Sequence, residues 1–128
     1  MPRGTQLTVV LENKPGQLAK MAAALKKAKV NIQAISVVDS VDTGVIRMVV
    51  DSPAKAKQGL AQAKITVTQQ LVLVVDLCNE PGALQALAAK LTAADVNINY
   101  IYGSVTKTGG AGRLVLGVDK LGQALKAT

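Results

Sequence analysis

Asn13, Gly16 and Asn31 recur 66 positions later as Asn79, Gly82 and Asn97. An asparagine side chain donates through its amide N–H and accepts through its carbonyl oxygen, so it can meet either an ammonium or a carboxylate. Each set contains a Pro-Gly step, Pro15-Gly16 or Pro81-Gly82, ahead of a helical pattern. Unpaired N–H groups and the positive end of the dipole at a helix start favour an anion. Glycine has no Cβ and lets backbone and ligand approach closely. Each residue taken singly also has a structural role, since asparagine suits turns and N-caps and glycine suits tight backbone geometry. Two matched sets point to binding of a small polar ligand in at least one copy.

The rest of the chain offers little to a catalyst. There is no histidine, so Ser/His/Asp and Cys/His sets lack their base. Zinc sites of mixed Cys and His ligands are excluded within one chain, and no metal or cofactor is expected. The eight acidic residues are scattered, with no pair placed for acid–base work. Cys78 is the sole cysteine and reads as a small residue at a strand end. A single cysteine forms no internal disulfide, which fits a reducing, cytoplasmic setting. The hairpin glycines near Gly109-Gly110 complete no G-x-G-x-x-G, and no G-K-[ST] follows. Tyr100 and Tyr102, the only aromatic residues, stand two apart on one strand and so share a face. They suit either interface packing or the wall of a pocket for an apolar side chain.

The elements that must position these residues come in duplicate. Leu7–Ile35 lies on Leu73–Ile101 with 15 of 29 pairs identical, including Asn13/Asn79, Pro15/Pro81, Gly16/Gly82, Leu18/Leu84 and Val30-Asn31-Ile32/Val96-Asn97-Ile98. Beyond Gly109 the offset becomes 68, and Ile46, Met48, Val50 and Asp51 meet Leu114, Leu116, Val118 and Asp119. Leu7–Leu11 alternates and ends in a turn, which predicts a strand. Leu18, Met21, Ala22, Leu25 and Ala28 fall on one helical face, as do Leu84, Leu87, Ala88, Leu91 and Ala94. Pro15 and Pro81 suit the first turn of those helices. Strands are expected near Asn31–Asp39 and Val45–Asp51, and near Asn97–Thr106 and Arg113–Val118. Ser52-Pro53 reads as an N-cap and first residue of a short helix to about Ala63, with Asp119 capping in the second copy. Ile65–Thr68 reads as a fourth strand.

The order is βαββαβ twice over, an α+β chain of two tandem ferredoxin-like units with helices on one face of antiparallel sheets. The expected boundaries are 1–69 and 70–128. The second copy shows no fourth strand before Thr128. An open edge beside Leu71–Leu77 then needs cover from Ile65–Thr68 or from another chain.

Strand, Asn-x-Pro-Gly-x-Leu, helix, then Val-Asn-Ile opening the next strand resembles the ACT domain family. The pattern occurs as Asn13–Leu18 with Val30–Ile32 and as Asn79–Leu84 with Val96–Ile98, and it covers nearly the whole chain. The resemblance implies a regulatory protein that senses amino acids and acts on a metabolic enzyme in trans, similar to stand-alone proteins of two ACT units. It implies a ligand site at an interface between units, formed by Asn13, Gly16 and Asn31 and by Asn79, Gly82 and Asn97. Some serine-binding members carry a histidine two residues before the turn asparagine, where Leu11 and Leu77 stand here. Other ACT units bind nothing and only dimerise.

Charge and hydropathy complete the expectations. The net charge is +7, with ten basic and four acidic residues over positions 1–66 and five and four thereafter. This reads as a solvated helix face around Lys20, Lys26, Lys27 and Lys29. No apolar run reaches the ~18 residues of a membrane span, and Met1–Gly4 lacks a signal-peptide core. Units this small gain from packing on another surface, so a homo-oligomer, with a dimer favoured, is expected. RNA binding through the same topology is disfavoured, because the first copy has no aromatic residue to stack a base. A dimerisation or docking module without a ligand is the remaining alternative.

Overall fold

The structure is a computed structural model, described over residues 3–39, 41–104 and 109–128. Its elements run β1 (Arg3–Glu12), α1 (Gln17–Lys27), β2 (Ile32–Asp39), β3 (Thr43–Val50), α2 (Pro53–Gln62), β4 (Val67–Cys78), α3 (Ala83–Ala93), β5 (Ile98–Ser104), β6 (Ala111–Val118) and α4 (Leu121–Ala127). The βαββ order predicted from the repeat is therefore present twice. Positions 105 and 106 of the predicted strand Asn97–Thr106 lie outside the described residues.

The chain forms two compact units. Thr5–Gln70 makes the first, in which β2, β3, β1 and the start of β4 lie side by side in that order. β1 and β3 run antiparallel with Leu7 opposite Met48 and Val9 opposite Ile46. These four side chains face Met21, Leu25 and Leu60 of the helices and form a closed apolar core. Their alternation along each strand puts the intervening residues on the opposite face.

The second unit comprises Leu71–Thr128 together with Arg3 and Gly4. Its β4, β6 and β5 repeat the antiparallel arrangement, with Leu73 opposite Leu116 and Ile101 opposite Leu116 from the other side. Leu73, Leu87, Leu91, Leu116 and Ala124 form its core. Arg3 and Gly4, the head of β1, lie beside β4 in this unit, where a Cβ on Gly4 would stand 2.7 Å from Cγ2 of Val74. Glycine is the residue that fits so close an approach.

Several local expectations change. Ile65–Thr68 and Leu71–Leu77 were expected as separate strands, yet Val67–Cys78 is one strand without interruption. It contributes Val67 to the first core and Leu73 to the second. The Ile65–Thr68 segment thus cannot cover the edge of Leu71–Leu77, because Val67 and Thr68 head the same strand and Ile65 and Thr66 precede it. Pro15 and Pro81 precede their helices instead of lying in the first turn; the N-cap positions are Gly16 and Gly82. Ser52 occupies the N-cap of α2 with Pro53 following, but its side chain makes no capping bond. Asp119 does not cap α4, whose N-cap position is Lys120. The Asp119 carboxylate instead accepts the backbone N–H of Asn97. No helix among the described residues is long and apolar enough to cross a membrane.

Candidate functional site

The turn after the first strand of each unit is tied to the hairpin beyond it. The Asn13 N–H donates to the Asp42 carbonyl at 2.9 Å, and the Asn13 side-chain amide donates to Asp39 Oδ1 at 2.6 Å. In the second unit the Asn79 N–H donates to the Gly110 carbonyl at 2.7 Å, and its carbonyl accepts the Gly109 N–H at 2.8 Å. Gly16 and Gly82 then turn the chain into its helix with φ of 90° and 85°. Their carbonyls accept the first helical bonds, from Lys20 and Ala86, both at 3.0 Å. Neither helix has a side-chain cap or an acidic residue in its first turn. The Gln17 and Ala83 N–H groups bond back to the Lys14 and Glu80 carbonyls at 3.4 and 3.3 Å, so it is the next N–H groups of each first turn, with the positive dipole end, that suit an outside anion.

Beside each turn lies a small cavity. The one in the first unit, about 100 Å³, is lined by Leu11, Asn13, Leu18, Gly44 and Ile46, with Glu12, Lys14, Gln17 and Val37 around them. The one in the second unit, about 150 Å³, is lined by Leu77, Asn79, Leu84, Gly112 and Leu114, with Cys78, Glu80 and Ala83. These are the same positions, related by the offsets of the repeat. From sequence Leu11 and Leu77 entered only as the positions where some serine-binding members carry a histidine, and Leu18, Gly44, Ile46 and their counterparts were not named as site residues. The signal was available, because Leu11/Leu77, Leu18/Leu84 and Ile46/Leu114 all coincide in the repeat.

The remaining expected site residues lie elsewhere. Asn31 and Asn97 stand beyond the far end of α1 and α3, 11-residue helices about 16 Å long, and so at the opposite end of the unit from the turn asparagine. The Asn97 side-chain amide donates to Asn99 Oδ1 at 3.0 Å. Asn31 lines a broad open cleft with Lys26 and Lys29. Tyr100 and Tyr102 are on the face of β5 away from the helices, since they pair with Gly117 and Val115 whereas Leu116 faces the core. Their rings stack with centroids 6.4 Å apart, and the Tyr100 ring covers Gly117. One unit thus brings Asn79 and Gly82 to one end and Asn97 to the other, with the tyrosines outside both.

A family model for the ACT domain pair matches residues 4–127. The chain belongs to the ACT domain pair family. ACT domains are regulatory modules, and the duplicated turn, helix and cavity are the two copies of one such module. The ACT pair is similar to a crystal structure of a protein from Bacteroides thetaiotaomicron at 27% identity, with a TM-score of 0.92 over 98% of this chain and 86% of that one. It also resembles the regulatory subunit of aspartate kinase from Thermus thermophilus in its ligand-free form, at 18% identity and a TM-score of 0.68 over 96% and 89%. The corresponding subunit from Thermus flavus gives 15% and 0.62 over 99% and 90%. At those two identities the likeness concerns the fold. No curated protein matches the ACT pair at a significant level.

Proposed function

We propose that this ACT pair binds a free amino acid and passes that signal to a metabolic enzyme in trans, as a homodimer or larger assembly in the cytoplasm. The supporting observation is the recurrence of one cavity at matching positions of both units, each beside an uncapped helix start. The helix N-terminus suits the ligand carboxylate, Asn13 or Asn79 its polar groups, and the cavity its side chain. Volumes of about 100 and 150 Å³ fall below the ~300–1,000 Å³ of pockets that enclose a whole ligand. The rest of the ligand then needs cover from a second chain, whose Asn31 or Asn97 would supply it. Tyr100 and Tyr102 take the packing role. The ligand acts by binding one arrangement of units better than another.

A thermal-shift and calorimetric screen of the twenty amino acids tests this. A ligand at about 100 times its Kd adds ~2.7 kcal/mol to stability. The shift should disappear in the double variant Asn13→Ala/Asn79→Ala. The absence of any shift at millimolar concentrations would sink the sensor reading.

The second reading, a ligand-free dimerisation or docking module, draws on β2. This edge strand of its unit carries Ile35, Val37 and Val38 at 42, 53 and 48% exposure, with no lysine or proline to blunt it. A stable dimer by sedimentation, unchanged by every amino acid, favours it.

A further inference from the structure

We infer that the two cavities are not equivalent, and that the one in the second unit takes an amino acid with an uncharged aliphatic side chain while the one in the first unit is closed to it. This rests on the amino-acid reading above and specifies its ligand. The shared frame of the two cavities is apolar in both: Leu11/Leu77, Leu18/Leu84 and Ile46/Leu114, with Gly44/Gly112 on the hairpin strand. The differences are confined to the positions around that frame. Gln17, half-buried in the first unit, becomes Ala83, which removes a methylene and an amide group from the wall. Val37 lines the first cavity, and Gly103 stands at the matching position. The second cavity is the larger, about 150 against 100 Å³.

The charges change in the same direction. Glu12 and Lys14, both among the residues lining the first cavity, form an exposed ion pair of 3.1 Å. Their counterparts are Cys78 and Glu80, so a salt bridge is replaced by a thiol and a lone carboxylate. Glu80 repels an acidic side chain, and the wall of Leu77, Ala83, Leu84 and Leu114 is apolar, with Asn79 as the polar residue beside it. An aliphatic side chain entering this cavity buries apolar surface on Leu77, Leu114 and the half-exposed Leu84. In the first cavity the longer Gln17 side chain stands on the wall where the second has only the Ala83 methyl.

The test is titration of the full chain with leucine and with asparagine, which have similar shape, followed by alkylation of Cys78. Because Cys78 is the sole thiol and lines this cavity, its reaction rate reports occupancy there. Leucine is expected to bind once per chain, at least about tenfold more tightly than asparagine, and to slow alkylation in proportion to saturation. Ala83→Gln, which installs the residue of the first unit, is expected to remove that site. The triple variant Glu12→Cys/Lys14→Glu/Gln17→Ala is expected to gain a second. Asparagine binding as tightly as leucine, two leucine sites in the unaltered chain, or leucine binding that survives Ala83→Gln would overturn the assignment while leaving the amino-acid reading intact. If none of the twenty amino acids binds, both fall together.

Discussion

Asp119 accepts the backbone N–H of Asn97 through Oδ1 at 2.9 Å, and its own N–H donates to the Asn97 carbonyl at 3.2 Å. Asp51 repeats this with Asn31, at 3.1 Å for both bonds. The end of the third strand of each unit thereby fixes the start of its second, just ahead of a bulge found at Ile32/Ala34 and again at Ile98/Tyr100. A carboxylate held by a backbone N–H is a charge-assisted bond, stronger than a neutral one. Asp119→Ala is expected to cost about 1 kcal/mol in chemical denaturation, since the bond is exposed to water. Asp119→Asn retains an acceptor oxygen and should cost less.

Gly16 and Gly82 hold φ near +90°, and a Cβ at either would meet nothing within 4 Å. The cost of alanine there is thus conformational, with no steric part. Gly16→Ala and Gly82→Ala should each destabilise by roughly 1 kcal/mol, the ordinary penalty for the left-handed region. A much larger loss in either would mean that something in solution occupies the space above the turn.

The Lys120 ammonium donates to Asp95 Oδ2 at 2.9 Å. That hydrogen bond, with the lysine charge adding to it, lowers the Asp95 carboxyl below its ordinary range, and the same bond raises Lys120 above its own. A lowered carboxyl stabilises above its unfolded pKa, and that contribution is lost as pH falls through the lower folded value. A raised lysine stabilises below its unfolded pKa, and that contribution is lost as pH rises through the higher folded value. The Tm difference between the unaltered chain and Asp95→Asn should therefore be widest between the carboxylate and lysine ranges and close at both extremes. Both side chains are exposed, so the difference should also shrink as salt is added. Asparagine is the suitable replacement, because Asp95 has φ of 60°.

Tyr100 covers Gly117, and a Cβ there would run into its ring. Gly117→Ala should cost about 1–3 kcal/mol by overpacking. It should also part the stacked pair with Tyr102. The chain has no other aromatic residue, so the change is readable in the near-ultraviolet circular dichroism.

The repeat was legible because asparagine, proline and glycine matches at fixed spacing do not arise from alanine richness. Helix faces followed from Leu18, Met21, Leu25 and their counterparts, since a buried stripe has to keep the helical period. Other features depend on distance in the chain. Asp119 reads locally as a cap, and its partner Asn97 lies 22 residues away. The cavity draws Leu77, Leu84 and Leu114 from a strand, a helix and another strand, and each of them alone reads as ordinary core. Lys29 and Asp95 close their helices with φ of 60°, a position where glycine would have announced itself and these residues do not. The continuity of β4 had a local clue, for Gln69-Gln70 contains no turn residue.

Gln70 and Leu71 are consecutive on that strand, yet they belong to different units, and Arg3 and Gly4 belong with Leu71. Half-genes and half-folds therefore have different borders. A fragment cut at the sequence duplication would leave behind two residues that the second unit uses, and a graft of the second copy into another protein has to carry that piece of strand with it.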